Sequence, residues 1–288
     1  MNMKINSQSK EKLNPRKVFW NCGACSHAMY HMLNHEFDNV RPAEEKASDF
    51  LAGGIGQKGE QCGMIWGASL AIGTECYKQF SNSNRATSVA VLASKNVLDS
   101  FQSRTNTVNC RDISKVDWEN KLEFAFYMLK IVMRGFIFSP CFNLFAKWSP
   151  EAINAANNVL KSNHISDRNC LSCASEVIKR MGGTEEEIVT VAGLAGGIGL
   201  SGNGCGALAA VIWYKQLFSS KTEPEKKQPF FNNADLKKIL RIFYIQTNSE
   251  MTCRKISGTE FKDIYEHTAY IENGGCKSLL DALSEVRN

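Results

Sequence analysis

The sequence predicts an all-α protein made of two homologous helical repeats packed with pseudo-two-fold symmetry. Three observations lead there. Apolar residues recur at helical spacing along most of the chain, and the best strand signal, Val89 to Leu92, sits inside a helical pattern. Helix-opening signals precede several of these stretches. The chain also repeats itself: Gly53-Gly54-Ile55-Gly56, Cys62-Gly63 and Cys110-Arg111 return as Gly196-Gly197-Ile198-Gly199, Cys205-Gly206 and Cys253-Arg254, each 143 residues later.

The elements follow in order. Residues 1–20 form a polar segment with no apolar core or cleavage site, so no secretory leader is expected. The first repeat takes residues 21–146. Pro42, behind Arg41, opens a helix at its first turn. Cys62 to Phe80 is nearly all apolar or small, with Gly63, Gly67, Ala68, Ala71 and Gly73, and is expected to be a closely approached central helix. Helices are predicted over Ala86 to Phe101 and Asp117 to Arg134. Residues 147–168 join the repeats, with a helix predicted over Pro150 to Leu160. The second repeat takes residues 169–288. Thr184-Glu185-Glu186-Glu187 is a capping box opening a helix to about Ala195. Cys205 to Phe218 mirrors the first central helix, and Ala234 to Gln246, Thr259 to Tyr270 and Lys277 to Val286 complete the set. Cys110 and Cys141 are 31 residues apart but Cys253 and Cys276 only 23, so repeat 1 carries an aromatic-rich insertion.

At 288 residues each half can bury a core of its own without disulfides. The net charge of +5 is mild and scattered; only Lys221 to Lys227 is locally basic, and Glu223 and Glu225 interrupt it. That segment reads as a solvated loop, and a nucleic-acid role finds no support. The most apolar stretch, Phe124 to Phe145, is broken by Lys130, Arg134 and Pro140, so no membrane span is expected. A cytoplasmic protein is the default, where clustered cysteines bind metal or do redox work. Of the eleven cysteines, five fall in each repeat; the odd one, Cys76, has Ser219 in register and reads as a small buried hydrophobe.

The glycine loops Gly54 to Gly59 and Gly197 to Gly202 match GxGxxG, but a dinucleotide site needs a preceding strand and an acidic residue about 20 positions on. A helix precedes each loop, and the residues in question are Gln79 and Thr222. The glycines Gly54, Gly56, Gly59, Gly197, Gly199 and Gly202 are instead expected to form amide-lined turns that acidify a thiol at the following helix start, Cys62 or Cys205. The CxxC pairs Cys22/Cys25 and Cys170/Cys173 can cycle to a disulfide or supply ligands for zinc or iron–sulfur. Arg111 and Arg254, in the shared CRxIS, can steady a thiolate or an anionic group, or lie on the surface. His27, His31 and His35 line one helix face, but repeat 2 has Ser175, Lys179 and Gly183 there, so the stripe reads as an ordinary polar face.

On these residues both halves resemble the redox-active C_GCAxxG_C_C family, whose members carry four invariant cysteines. The family's first cysteine is matched by Cys25 and Cys173 and its motif cysteine by Cys62 and Cys205. Its last two are matched by Cys110 and Cys141, and by Cys253 and Cys276. Met64 and Ala210 depart from the motif, and Cys22 and Cys170 are additional to the four. The resemblance implies a helical domain with a cysteine-built redox centre. Four cysteines per repeat match the ligand count of an iron–sulfur cluster. The leading expectation is therefore an electron-transfer protein with one such centre per repeat, working with a donor or acceptor protein. Its alternatives are a thiol–disulfide oxidoreductase that uses the CxxC pairs without a cofactor, and a structural zinc module. Duplication is expected to give a pseudo-dimeric monomer or a homo-oligomer.

Overall fold

The computed structural model describes residues 13–134, 139–162, 168–223, 229 and 233–286. Parts of four sequence expectations lie outside them: 1–12 of the polar segment, 135–138 of the apolar stretch, 163–167 of the join and 224–227 of the basic loop.

Asn14 accepts from the amides of Arg16 and Lys17 and starts α1 (Pro15–Cys22), which Gly23 ends in the left-handed region. Then come α2 (Cys25–Glu36), α3 (Pro42–Ala47) with a following 3-10 turn (Ser48–Leu51), α4 (Gly63–Gln79) and α5 (Ser83–Thr105). Repeat 1 closes with α6 (Cys110–Ser114), α7 (Lys121–Arg134) and α8 (Pro140–Leu160). Repeat 2 follows the same plan: α9 (Cys173–Arg180), α10 (Glu185–Thr190) with its 3-10 turn (Ala192–Leu194), and α11 (Gly206–Thr222). It ends with α12 (Ala234–Thr247), α13 (Cys253–Ser257), α14 (Ile264–Glu272) and α15 (Lys277–Ser284). The capping box at Thr184 is formed as expected, with Glu187 as its return partner. Strand pairing among the described residues is limited to two isolated bridges, Gln61 with Asn109 and Gly204 with Thr252, again in register.

One difference from the sequence expectation has a physical cause. Helix α8 runs unbroken through Pro150, so the expected join is helical as far as Leu160. Proline inside a helix costs ~3 kcal/mol, but Phe145 and Trp148 on that helix are fully buried, each contributing roughly 1.5–3 kcal/mol. Burial wins. Helix α7 is 14 residues long and α14 only 9, so the insertion lengthens this helix.

The repeats share one core, and their contacts are reciprocal. Helix α3 packs on α11 and α10 packs on α4, while each 3-10 turn also touches the other repeat's central helix. The small residues of α4 admit α2 and α10: a Cβ at Gly73 would lie 2.1 Å from the Thr190 carbonyl oxygen of the other repeat. No helix among the described residues is long and apolar enough to cross a membrane.

Candidate redox site

Each glycine loop is a left-handed turn. Five consecutive residues, 53–57 and 196–200, have positive φ, including Ile55 (54°), Gln57 (69°), Ile198 (67°) and Leu200 (66°). For residues with a side chain this costs about 1–2 kcal/mol each. Ile55 and Ile198 are fully buried, which returns a similar or larger amount, and Gly59 N–H donates across the turn to the Gly53 carbonyl (2.9 Å). The chain leaves the turn to meet the Cys-Arg segment. The amide of Cys62 donates to Val108 (2.8 Å), Cys110 to Glu60 (2.6 Å) and Arg111 to Gly59 (3.0 Å). Cys205, Cys253 and Arg254 repeat these bonds with Met251, Asn203 and Gly202. Two cysteines far apart in sequence are thereby fixed side by side.

All eight cysteines matched to the four-cysteine pattern stand at helix starts. Cys25, Cys110, Cys173 and Cys253 are first residues, Cys62, Cys205 and Cys276 are N-caps, and Cys141 follows Pro140 at the start of α8. The structure brings each set of four together. Cys25, Cys62, Cys110 and Cys141 line a cavity of about 460 Å³, whereas Cys173, Cys205, Cys253 and Cys276 share a space of about 20 Å³. Trp118, Phe124, Tyr127, Met128 and Ile131, on or beside the lengthened α7, form one wall of the larger cavity. None of the cysteines is in a disulfide.

The turns serve a different thiol from the one expected. The Gly53 and Gly196 amides hydrogen-bond Cys25 and Cys173, not the cysteines that follow the turns. Cys25 also accepts a hydrogen bond from Cys62, and this sulfur–sulfur bond, with the Gly53 amide, lowers its pKa despite complete burial. Cys62 is pushed well up, because it holds the shared proton and is itself buried. Cys205, expected to be acidified, is raised by burial to about 12. Cys173 is raised too, as burial outweighs its amide bonds. Gly63 belongs to this pairing: a Cβ there would lie 2.7 Å from Cys25 Sγ. Burial also raises Cys110, Cys141 (to about 12), Cys253 and Cys276.

These fours decide the identification. The chain belongs to the C_GCAxxG_C_C family. The family model, described as "Putative redox-active protein (C_GCAxxG_C_C)", matches residues 23–131 and again residues 168–286. No curated protein and no solved structure matches the chain.

Beyond the family's four, the extra cysteines diverge. Cys22 closes α1 and lines the repeat 1 cavity. Cys170 does not line the repeat 2 site; its thiol donates to the Arg168 carbonyl (3.2 Å). Cys76 is fully buried within α4. Arg111 and Arg254 turn to Asp117 (3.4 Å) and Glu260 (2.9 Å), half exposed. The remaining turn glycines pack on protein: Gly56 on Leu236 and Gly199 on Lys95 of the other repeat, and Gly59 and Gly202 on Arg111 and Arg254. Two tyrosines escaped the sequence reading although they keep the 143-residue register. Tyr127 and Tyr270 hydrogen-bond Cys141 and Cys276. The histidine stripe is no plain polar face either. His31 Nδ1 pairs with buried Glu45 (2.8 Å) and His27 Nδ1 with Asp49 (3.1 Å). Burial opposes charge on His27, but bonds to Asp49 and Cys22 outweigh it and raise its pKa to about 10.

Repeat 2 carries a measurable pH signature. His267 is buried, and its Nδ1 donates to the Leu171 carbonyl (2.9 Å), steadying the Cys170–Cys173 segment. Burial lowers its pKa to about 4 from an ordinary ~6.5. Between those values the unfolded chain takes up a proton that the folded chain refuses, so stability falls as pH drops through this window. The expected loss is about 3 kcal/mol by pH ~4. Urea midpoints across the window should show it, and His267→Gln should flatten that part of the profile.

Proposed function

We propose that the protein performs thiol–disulfide redox chemistry in repeat 1, with Cys25 as attacking thiolate and Cys62 as its disulfide partner. One observation carries this: the two sulfurs are hydrogen-bonded as a buried pair, with Cys25 acidified and Cys62 holding the proton. A thiolate beside a second thiol is what exchange with an external disulfide needs, since one attacks and the other resolves. Repeat 2 has neither the acidified thiol nor the room, so it serves chiefly as scaffold.

A second reading has a specific observation in its favour. Four cysteines at four helix starts converge on the repeat 1 cavity, and the positive ends of helices favour negative charge. Cys25, Cys62, Cys110 and Cys141 would be the donors of an iron–sulfur cluster, which would supply one-electron transfer to a partner protein. Repeat 1, with its cavity of about 460 Å³, has the room for such a group. The repeat 2 space of about 20 Å³ holds little more than one water and suits at most a single ion such as zinc. No group of three or more Cys, His, Asp or Glu among the described residues is set at metal-holding geometry.

One experiment separates the two. Protein purified anaerobically is assayed for iron and labile sulfide, then treated with oxidised glutathione, and its disulfides are mapped by peptide mass spectrometry. A Cys25–Cys62 disulfide in iron-free protein is expected. Stoichiometric iron and sulfide, with the four thiols protected from alkylation, would instead establish the cluster.

A further inference from the structure

Helix α7 is apolar on two opposite faces, and the cavity uses one of them. Phe124, Tyr127 and Ile131, at i, i+3 and i+7, turn inward and wall the repeat 1 site. Leu122, Phe126, Leu129 and Met133 follow at steps of four, three and four, which puts them in one stripe on the far side of the helix. They are 71, 63, 52 and 75% exposed, and Val132 beside them is 70% exposed. A large apolar side chain spans on the order of 200 Å², so these five leave roughly 600 Å² of apolar surface bare. That is the upper end of what a monomer shows, and most of the ~800 Å² that each copy buries in a stable dimer.

Repeat 2 supplies an internal control. It has Tyr265, Ala269 and Glu272 in register with Leu122, Phe126 and Leu129, 143 residues on. Tyr265 is half-buried with the Arg168 guanidinium over its ring (5.7 Å), and Ala269 and Glu272 are exposed on α14. The outer face of that helix is small and polar. Folding of the repeat therefore does not require the apolar stripe, which comes only with the lengthened helix.

We infer that the outer face of α7 is the two-fold contact of a homodimer, covered by the same face of a second copy of this chain. Alternating steps of four and three are the spacing at which one helix packs along another, and the residues flanking the stripe set partner and direction. One flank carries Glu123 and Lys130, seven residues apart, and the other carries Ala125 and Val132. Laid antiparallel about its midpoint, α7 sets Leu122 against Met133 of the second copy and Phe126 against Leu129 of the second copy. Every stripe residue then meets an apolar partner. The same register sets Glu123 of each copy beside Lys130 of the other, giving two reciprocal ion pairs. A parallel pair would instead turn both charges toward the uncharged flank. The Glu123 carboxylate is already held on its flank by the Asp117 amide (2.8 Å). A helix lying on a membrane carries cations along its polar side, whereas this flank carries one charge of each sign. The two repeat 1 cavities would face away from the helix pair, each backed by its own α7. The contact does not depend on which chemistry repeat 1 performs.

Analytical ultracentrifugation of the full chain tests the contact, with a reducing agent present so that no intermolecular disulfide contributes. A dimer at micromolar chain concentration is expected. Phe126→Asp should raise its dissociation constant at least about a hundredfold, because the change buries a charge at the centre of the stripe. Leu129→Asp covers the case in which the first variant misfolds, and far-UV circular dichroism reports the fold of both. Glu123→Lys and Lys130→Glu should each weaken self-association about tenfold, since each places like charges together across the two-fold axis. Mixing those two variants should restore a tight dimer, because only the mixed pair matches both charges. A sticky apolar patch without the antiparallel register would not show that rescue. A monomeric wild-type chain, a dimer indifferent to both aspartate variants, or charge variants no tighter when mixed than apart would overturn the inference. So would a monomer that binds vesicles of anionic phospholipid and loses that binding in Phe126→Asp, which would make the stripe a membrane-contacting face.

Discussion

Gly54→Ala is expected to destabilise the protein by roughly 3 kcal/mol or more and to displace Cys110 from the repeat 1 site. Gly54 has φ +79°, where a side chain costs about 1–2 kcal/mol. Its Cβ would also stand 2.3 Å from the Glu60 amide nitrogen and 2.5 Å from the Glu60 carbonyl oxygen. Both obstacles are backbone, so no rotamer change relieves them. Glu60 N–H donates to the Gly54 carbonyl (3.2 Å), and the Glu60 carbonyl accepts from the Cys110 amide (2.6 Å). A shift that admits the methyl group therefore breaks the bond that sets Cys110. Gly23→Ala is the matched control, with a similar φ of +77° and nothing within 4 Å. It should cost only about 1 kcal/mol. Urea titrations of the two variants measure the difference, and equal losses would mean that the left-handed turn is not the rigid frame described above.

The 143-residue register made much of this turn legible in advance. Its glycines, Cys62 and Cys110 kept step with Gly196, Cys205 and Cys253, and the all-helical plan followed from patterning that each helix satisfies locally. What the register could not give was direction. A positive-φ run reverses the usual sense of the backbone, so the Gly53 amide faces Cys25, 28 residues upstream, instead of the cysteine that follows. Tyr127 and Tyr270 were visible in register, but nothing in a helical segment marks one tyrosine as facing a thiol. Asp49 and His27 were hidden for the opposite reason. They have no counterparts, and their pairing spans 22 residues and two helices that only tertiary packing brings together. The continuity of α8 through Pro150 likewise depends on the burial of Trp148, which the local sequence does not reveal.

The same asymmetry sets the second large expected effect. Cys25→Ser should slow oxidation by glutathione disulfide at least about a hundredfold, while Cys173→Ser should change it by less than about twofold. The two cysteines match by sequence: each begins its helix and each accepts an amide bond from the first glycine of its turn. They differ in their sulfur neighbour. Cys62 donates a hydrogen bond to Cys25 and overcomes its burial, whereas Cys173 has no such donor and burial raises it. Below a thiol's pKa, each unit of elevation removes about nine-tenths of the reactive thiolate, while nucleophilicity rises only about half as steeply. The acidified thiol therefore keeps the kinetic advantage at neutral pH. Access compounds it, since an external disulfide can enter a cavity of about 460 Å³ but not one of about 20 Å³. Stopped-flow oxidation followed by disulfide mapping reads both effects at once. Comparable losses in the two variants would make the repeats functional equals. A loss confined to Cys25→Ser would mean that duplication preserved the cysteines in both halves but left the reactive pairing in one.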